Sequence, residues 1–304
     1  MSRLHNFYRK KQILVTGGAG FIGSTLVEKL VELEACVTVI DNFSTGNAHN
    51  LEHLQHKIKL IIADLSSLQA CKLATQNKSH IFHLAAKTSV QESCSNPTLY
   101  EQHNVLATQN LLTAALQNNV ERFIFSSSAA VYGDQSAICS ETTPLNPQSP
   151  YAETKKRCEE LCLQFSQHSS LMPIILRYFN VDGSRQNKLS NYSAVIPIFI
   201  EKMKQQEPLT LFGDGLQTRD FIGLDEIVSA NLLAGAYPFT RPEIINVASG
   251  SSITLLDLIK KLQLQLRCTE PKITFLPPRK GDIIKSEADC TKFLNLKKWG
   301  GANL

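Results

Sequence analysis

Ile13-Leu14-Val15-Thr16-Gly17-Gly18-Ala19-Gly20-Phe21-Ile22-Gly23 is a β-branched run that passes without a linker into three glycines, Gly17, Gly20 and Gly23, at GxxGxxG spacing. Residues 20–33 follow with helical periodicity, so the glycines sit where a strand must turn at once into a helix. Glycine there lets the backbone approach a pyrophosphate, and the helix N-terminus offers unpaired N–H groups and a favourable dipole. Glycine triplets are common in ordinary turns; the strand before and the helix after are what point this one to a nucleotide. Asp41 closes the next β-branched run, where a carboxylate can accept hydrogen bonds from ribose hydroxyls and repel a 2′-phosphate, which favours NAD over NADP. It also suits the start of the turn Asp41-Asn42-Phe43-Ser44. Asp64-Leu65 is either another turn or the border of the adenine pocket.

Outward from this unit the same rhythm repeats. Short apolar runs predict strands over 13–16, 36–41, 58–63, 80–85, 122–128 and 173–179, and amphipathic stretches predict helices over 20–33, 98–117 and 151–168. Near-continuous apolar strands separated by helices imply a parallel sheet covered on both faces, a doubly wound α/β arrangement with its ligand crevice at the carboxyl ends of the strands. After Asn180 the pattern becomes mixed: helices near 194–205, 225–236 and 254–266, strands near 209–212 and 244–247. Residues 1–180 are therefore read as a nucleotide-binding domain and 181–304 as a smaller mixed α/β substrate lobe, with an approximate boundary and room for interleaving.

The chemistry is expected at the end of the strand over 122–128. Three serines close it, and 23 residues after Ser128 stands Tyr151, followed on the same helix face by Lys155. A phenol is a poor base near neutral pH, but an adjacent ammonium favours its phenolate, and a strand-end hydroxyl can hold the oxygen whose proton the phenol exchanges. Tyr-x-x-x-Lys alone is commonplace on exposed helices. The order Gly17/Gly20/Gly23, Asp41, Ser128, Tyr151, Lys155 is specific.

Over nearly its whole length the chain resembles the extended short-chain dehydrogenase/reductases, in particular the UDP-glucose 4-epimerase-like members. The segments that carry the resemblance are TGGAGFIGS (16–24), HLAA (83–86), NV (104–105), FSSSAAVYG (125–133), SPYAETK (149–155), LRYFNV (176–181), GDGLQTRDF (213–221) and PPRKGDI (277–283). The resemblance implies a Rossmann domain, NAD as cofactor and a nucleotide-sugar substrate. It implies Tyr151 as acid/base, Lys155 as the group that lowers its pKa and holds the nicotinamide ribose, and Ser128 as the hydroxyl partner. Phe21, Ile22, Asn42, Asp64, Leu65, Ala85, Ala86, Asn104, Ser126, Ser127 and Tyr178 would complete the cofactor site. Thr88, Asn180, Arg219, Arg279, Asp282 and Ser286 would hold the substrate, the two guanidiniums suiting bidentate contact with a diphosphate. It also implies a homodimer formed by the helices over 98–117 and 151–168.

Related dehydratases and decarboxylases carry acidic residues after the serine strand; here Ala129 and Ala130 stand there, which favours oxidation and re-reduction at one carbon, a 4-epimerisation through a 4-keto sugar. Ser286 is small where enzymes restricted to plain hexoses carry a large aromatic, which favours UDP-GlcNAc/UDP-GalNAc beside UDP-glucose/UDP-galactose. The segment after Asn180 lacks the tyrosine usual at position 182, a departure that bears on the sugar pocket. A uronate epimerase, decarboxylase or reductase remains a second reading, and a catalytically silent dinucleotide sensor a third.

Composition excludes other classes. With 304 residues, 43% of them hydrophobic, the chain can bury a large core, and a formal charge of +4 with scattered basic residues gives no nucleic-acid footprint. The eight cysteines form no CxxC pair, no apolar run reaches membrane-spanning length, and residues 1–11 are polar with no apolar core behind them. A cytoplasmic protein with reduced thiols, no metal centre and no membrane partner is expected.

Overall fold

The computed structural model describes residues 2–167, 169–183, 195–278 and 283–301. Its strands are β1 (Gln12–Thr16), β2 (Cys36–Asp41), β3 (Lys59–Ile62), β4 (His80–His83), β5 (Arg122–Ser128), β6 (Met172–Tyr178), β7 (Asn180–Asp182), β8 (Leu209–Phe212), β9 (Thr218–Gly223), β10 (Glu243–Val247), β11 (Ser252–Thr254) and β12 (Ile273–Leu276). Its α-helices are α1 (Arg3–Tyr8), α2 (Phe21–Glu32), α3 (Leu68–Thr75), α4 (Val90–Ser95), α5 (Pro97–Tyr100), α6 (Ala107–Gln117), α7 (Pro150–Gln167), α8 (Val195–Lys204), α9 (Leu224–Ala236), α10 (Leu255–Leu266) and α11 (Thr291–Gly300).

Seven strands form one parallel sheet in the order β10-β6-β5-β4-β1-β2-β3. The order reverses between β1 and β4, and the crevice at that switch point is where a doubly wound sheet binds its ligand. The inner strands are apolar because both faces are covered: β1, β4 and β5 are almost wholly buried, whereas the edge strand β3 is largely exposed. On one face Leu26, Val27 and Leu30 of α2 pack with Ile227 and Leu233 of α9 and Phe293 of α11, and Tyr8 of α1 donates to the Leu232 carbonyl at 2.6 Å. On the other, Cys71 of α3, Leu111, Leu112 and Ala115 of α6, and Cys158 and Cys162 of α7 form the second layer. All eight cysteines are free thiols. Among the described residues no helix is long and apolar enough to cross a membrane.

The strand expected near 244–247 is present as β10, but it extends the seven-stranded sheet beside β6, and α9 packs on α2, β5 and β6. A short run with three apolar residues, Ile244, Ile245 and Val247, does not reveal which sheet it joins, so the sequence could not place it. The smaller lobe is built from β7, β9 and β11, from the pair β8/β12, and from α8 and α10, whose Phe199, Met203, Leu258 and Leu262 share a core with Leu209 and Leu211. The helix expected over 98–117 is continuous but widens into a π-helical stretch at Glu101–Leu106, between α5 and α6, a local feature that hydrophobic periodicity does not encode.

Candidate active site

Gly17 has φ +66°, and a Cβ there would lie 2.7 Å from the Ala85 nitrogen; one on Gly23 would lie 2.1 Å from the Gly17 carbonyl oxygen. The first glycine thus makes the turn out of β1 and the third lets α2 seat directly against that turn. Asp41, at the end of β2, accepts from the Ala19 amide at 2.9 Å and the Phe43 amide at 2.8 Å. Its carboxylate fixes the glycine loop and the following turn together. Asp64 accepts from the Ser66 amide at 2.7 Å and the Asn42 side chain at 2.6 Å, with His103 at 3.5 Å. Burial pushes its carboxyl up, and the Ser66 and Asn42 hydrogen bonds outweigh this and hold it below the usual carboxylate range.

At the other end of the crevice, Tyr151 lies in the first turn of α7 and is buried. Burial raises its pKa, while a hydrogen bond with Ser128 pulls the other way. Lys155, one turn on, donates to the Ser126 carbonyl at 2.7 Å, and burial lowers its ammonium to about 8. The Ser126 hydroxyl meets the Tyr178 hydroxyl at 2.9 Å, which Asn231 of α9 contacts at 2.7 Å. The Ser127 hydroxyl points to the opposite face and donates to Glu159.

The crevice is one cavity of about 1000 Å³. Of the residues expected from sequence, Gly17, Gly20, Phe21, Ile22, Gly23, Asp41, Asn42, Asp64, Leu65, Ala85, Ala86, Thr88, Ser126, Ser127, Ser128, Tyr151, Lys155, Tyr178, Asn180 and Arg219 line it. Two others stand behind the wall. Asn104, in the π-helical stretch, spans the Lys87 backbone at 2.8 and 3.0 Å and the Thr154 hydroxyl at 3.0 Å, bracing the β4 exit against α7. Ser286 is buried, with its hydroxyl 3.4 Å from the Asn180 amide, which also donates to the Asp220 carbonyl at 3.0 Å. Arg279 and Asp282 lie outside the described residues.

The sequence reading missed the loop Ser44 to Asn47, Lys87 and His103 on the glycine-turn side of the cavity, and Phe199, Phe212 and Gln217 on the side of the smaller lobe. Residues 209–212 were legible as a strand, but nothing in four apolar and polar residues announced that β8 forms a wall of the crevice. A dinucleotide cradle, with a helix N-terminus free to receive a pyrophosphate and with no room for a Cβ, joins buried Tyr151 and Lys155 and half-buried Ser128 at the end of β5, two strands away. That combination defines the extended short-chain dehydrogenase/reductases. The chain belongs to the NAD dependent epimerase/dehydratase family, whose model matches residues 13–248.

Among solved structures, a UDP-N-acetylglucosamine 4-epimerase from Methanobrevibacter ruminantium M1 in complex with UDP-N-acetylmuramic acid superimposes with TM-score 0.90 at 38% identity, covering 95% of this chain and 92% of that one. The Thermotoga maritima UDP-glucose 4-epimerase with UDP-glucose gives 0.86 at 35% identity, covering 92% and 90%. The Thermus thermophilus UDP-glucose 4-epimerase complex with NAD gives 0.85 at 32% identity, covering 93% and 92%.

Proposed function

We propose that the protein is an NAD-dependent 4-epimerase of UDP-sugars. The observation that carries this reading is the charge and chemistry of the cavity wall. Among the described residues the carboxylates lining it are Asp41 and Asp64, both at the end where the adenosine would lie, whereas Ser128, Tyr151 and Lys155 converge at the other end, next to Ala129 and Ala130. Such a site can exchange one hydroxyl proton but holds no described acid to move protons at neighbouring sugar carbons.

Bound NAD supplies an acceptor and then a donor of the hydride, with no net redox change. Gly17, Gly20 and the amides opening α2 would hold its pyrophosphate, and Asp41 its adenosine ribose. Ser128 would hold the O4 hydroxyl of the sugar, Tyr151 take its proton, and Lys155 keep the phenolate favoured while fixed by Ser126. After the 4-keto sugar turns over, Tyr151 returns the proton to O4. Asn180 and Arg219 would hold the nucleotide diphosphate. Support for an N-acetylated sugar as a substrate comes from the UDP-N-acetylglucosamine 4-epimerase to which the chain is similar, since Ser286 stands behind the cavity wall.

The purified protein is expected to convert UDP-GlcNAc to its 4-epimer with catalytic NAD, resolved by chromatography alongside UDP-glucose and UDP-glucuronate. Conversion of none of the three, with NAD tightly bound, would sink the epimerase reading. The same proposal includes a homodimer through α6 and α7. Size-exclusion chromatography with light scattering is expected to give twice the 33.8 kDa chain mass, and a monomer at micromolar concentration would refute it.

A further inference from the structure

Ser127 and Arg177 are directly paired across β5 and β6, and both side chains reach the same carboxylate, that of Glu159 on α7. Arg177 grips it with Nε at 3.0 Å from one oxygen and a terminal nitrogen at 2.6 Å from the other, and both side chains are 3% exposed. The other Arg177 nitrogen donates to the Tyr132 hydroxyl at 2.9 Å, which donates in turn to Asn246 of β10 at 2.6 Å. The proposed chemistry uses none of these groups. Yet Glu159 lies one turn beyond Lys155 and two beyond Tyr151 on the same helix face, and Ser127 lies between Ser126, which holds Lys155, and Ser128, which holds Tyr151.

A buried ion pair contributes little net stability compared with well-packed apolar residues of the same volume, because desolvation offsets its attraction. What it does supply is register: a bidentate fork has one geometry, and apolar side chains tolerate sliding. We propose that Glu159, clamped by Arg177 and Ser127, is a positioning residue that sets the rotation and height of α7 against β5, so that the Tyr151–Ser128 and Lys155–Ser126 contacts form together. The Glu159–Arg177–Tyr132–Asn246 chain extends this clamp across three neighbouring strands, β5, β6 and β10. This is why β10 belongs to the active-site scaffold although it bears no site residue.

The inference rests on the proposed roles of Tyr151 and Lys155, so its test includes a readout that needs no substrate. The NAD-loaded full chain would be compared as wild type, as Ser127→Ala and as the charge-balanced Glu159→Gln/Arg177→Met. Turnover per bound NAD is expected to fall about tenfold in the first and about 100-fold in the second, with KM within twofold, since misplacement of the order of 1 Å costs that much. Ser127→Thr is expected to recover most of the loss. In parallel, the ionisation of Tyr151, read as ultraviolet difference absorbance against Tyr151→Phe, should move to higher pH in both lowered variants as its Ser128 contact loosens. Of the ionisable neighbours of Tyr151 and Lys155, Tyr100, Cys158, Cys162 and His83 are unchanged in all of them, whereas Glu159, whose carboxylate favours the Lys155 ammonium, is neutralised in the double variant, so Ser127→Ala carries the titration readout.

Unmoved turnover and an unmoved Tyr151 midpoint would overturn the proposal, even with a lower melting temperature, because the clamp would then serve stability alone. Should the double variant fail to fold, Ser127→Ala decides, since it deletes one hydroxyl and leaves the ion pair. A wild type that epimerises no UDP-sugar would count against the function reading, and the Tyr151 midpoint would still decide this one.

Discussion

Tyr151→Phe is expected to lower kcat by roughly 10³-fold, with NAD affinity unchanged within about twofold, the size of loss that removal of a positioned acid/base group produces. The substitution deletes one oxygen from a buried ring and leaves its packing, including the edge contact with Tyr100 at 6.4 Å between centroids. The fold therefore has no reason to change. The proton route does: Lys155 is held by a carbonyl and faces no free base of its own, and Ser128 has no other described partner poised to take a proton from it. Steady-state kinetics at pH 7 to 9 would check this. Retention of more than a tenth of the wild-type kcat would show that another group moves the proton.

Gly23→Ala is expected to abolish useful cofactor binding, with an NAD affinity lower by about 100-fold, close to 3 kcal/mol. The added methyl would sit 2.1 Å from the Gly17 carbonyl oxygen and 2.9 Å from its carbon, both backbone atoms in the turn itself. The conflict cannot be relieved by rotating a side chain, so α2 must move off the β1 turn, taking with it the amides that would face the pyrophosphate. Gly223→Ala is the control, because nothing lies within 4 Å of where its methyl would stand and its φ is −69°. Titration with NAD followed by protein fluorescence, with thermal unfolding in parallel, separates the two. Equal NAD affinity in both variants would mean that the glycine turn does not govern the cofactor site.

Local order in the chain was enough to announce most of the parallel sheet, because β1, β2, β4, β5 and β6 are buried on both faces and so read as apolar runs, while the intervening helices keep a 3.6-residue period. The glycine cradle, Asp41 and the Ser128, Tyr151 and Lys155 set were legible for the same reason: each is a short-range pattern with a chemical cause. What joined them into a site was the order β5-β4-β1-β2, which brings residues about a hundred positions apart to one edge. Only the tertiary structure decided that β10 enters the main sheet, that β8 walls the crevice, that Asn104 braces the wall rather than lining it, and that Glu159 meets Arg177. On a helix, an acid four residues after a lysine ordinarily marks a solvated face. Its burial here depends on β6 arriving beneath it with an arginine opposite Ser127, a long-range pairing that no local period in the sequence records.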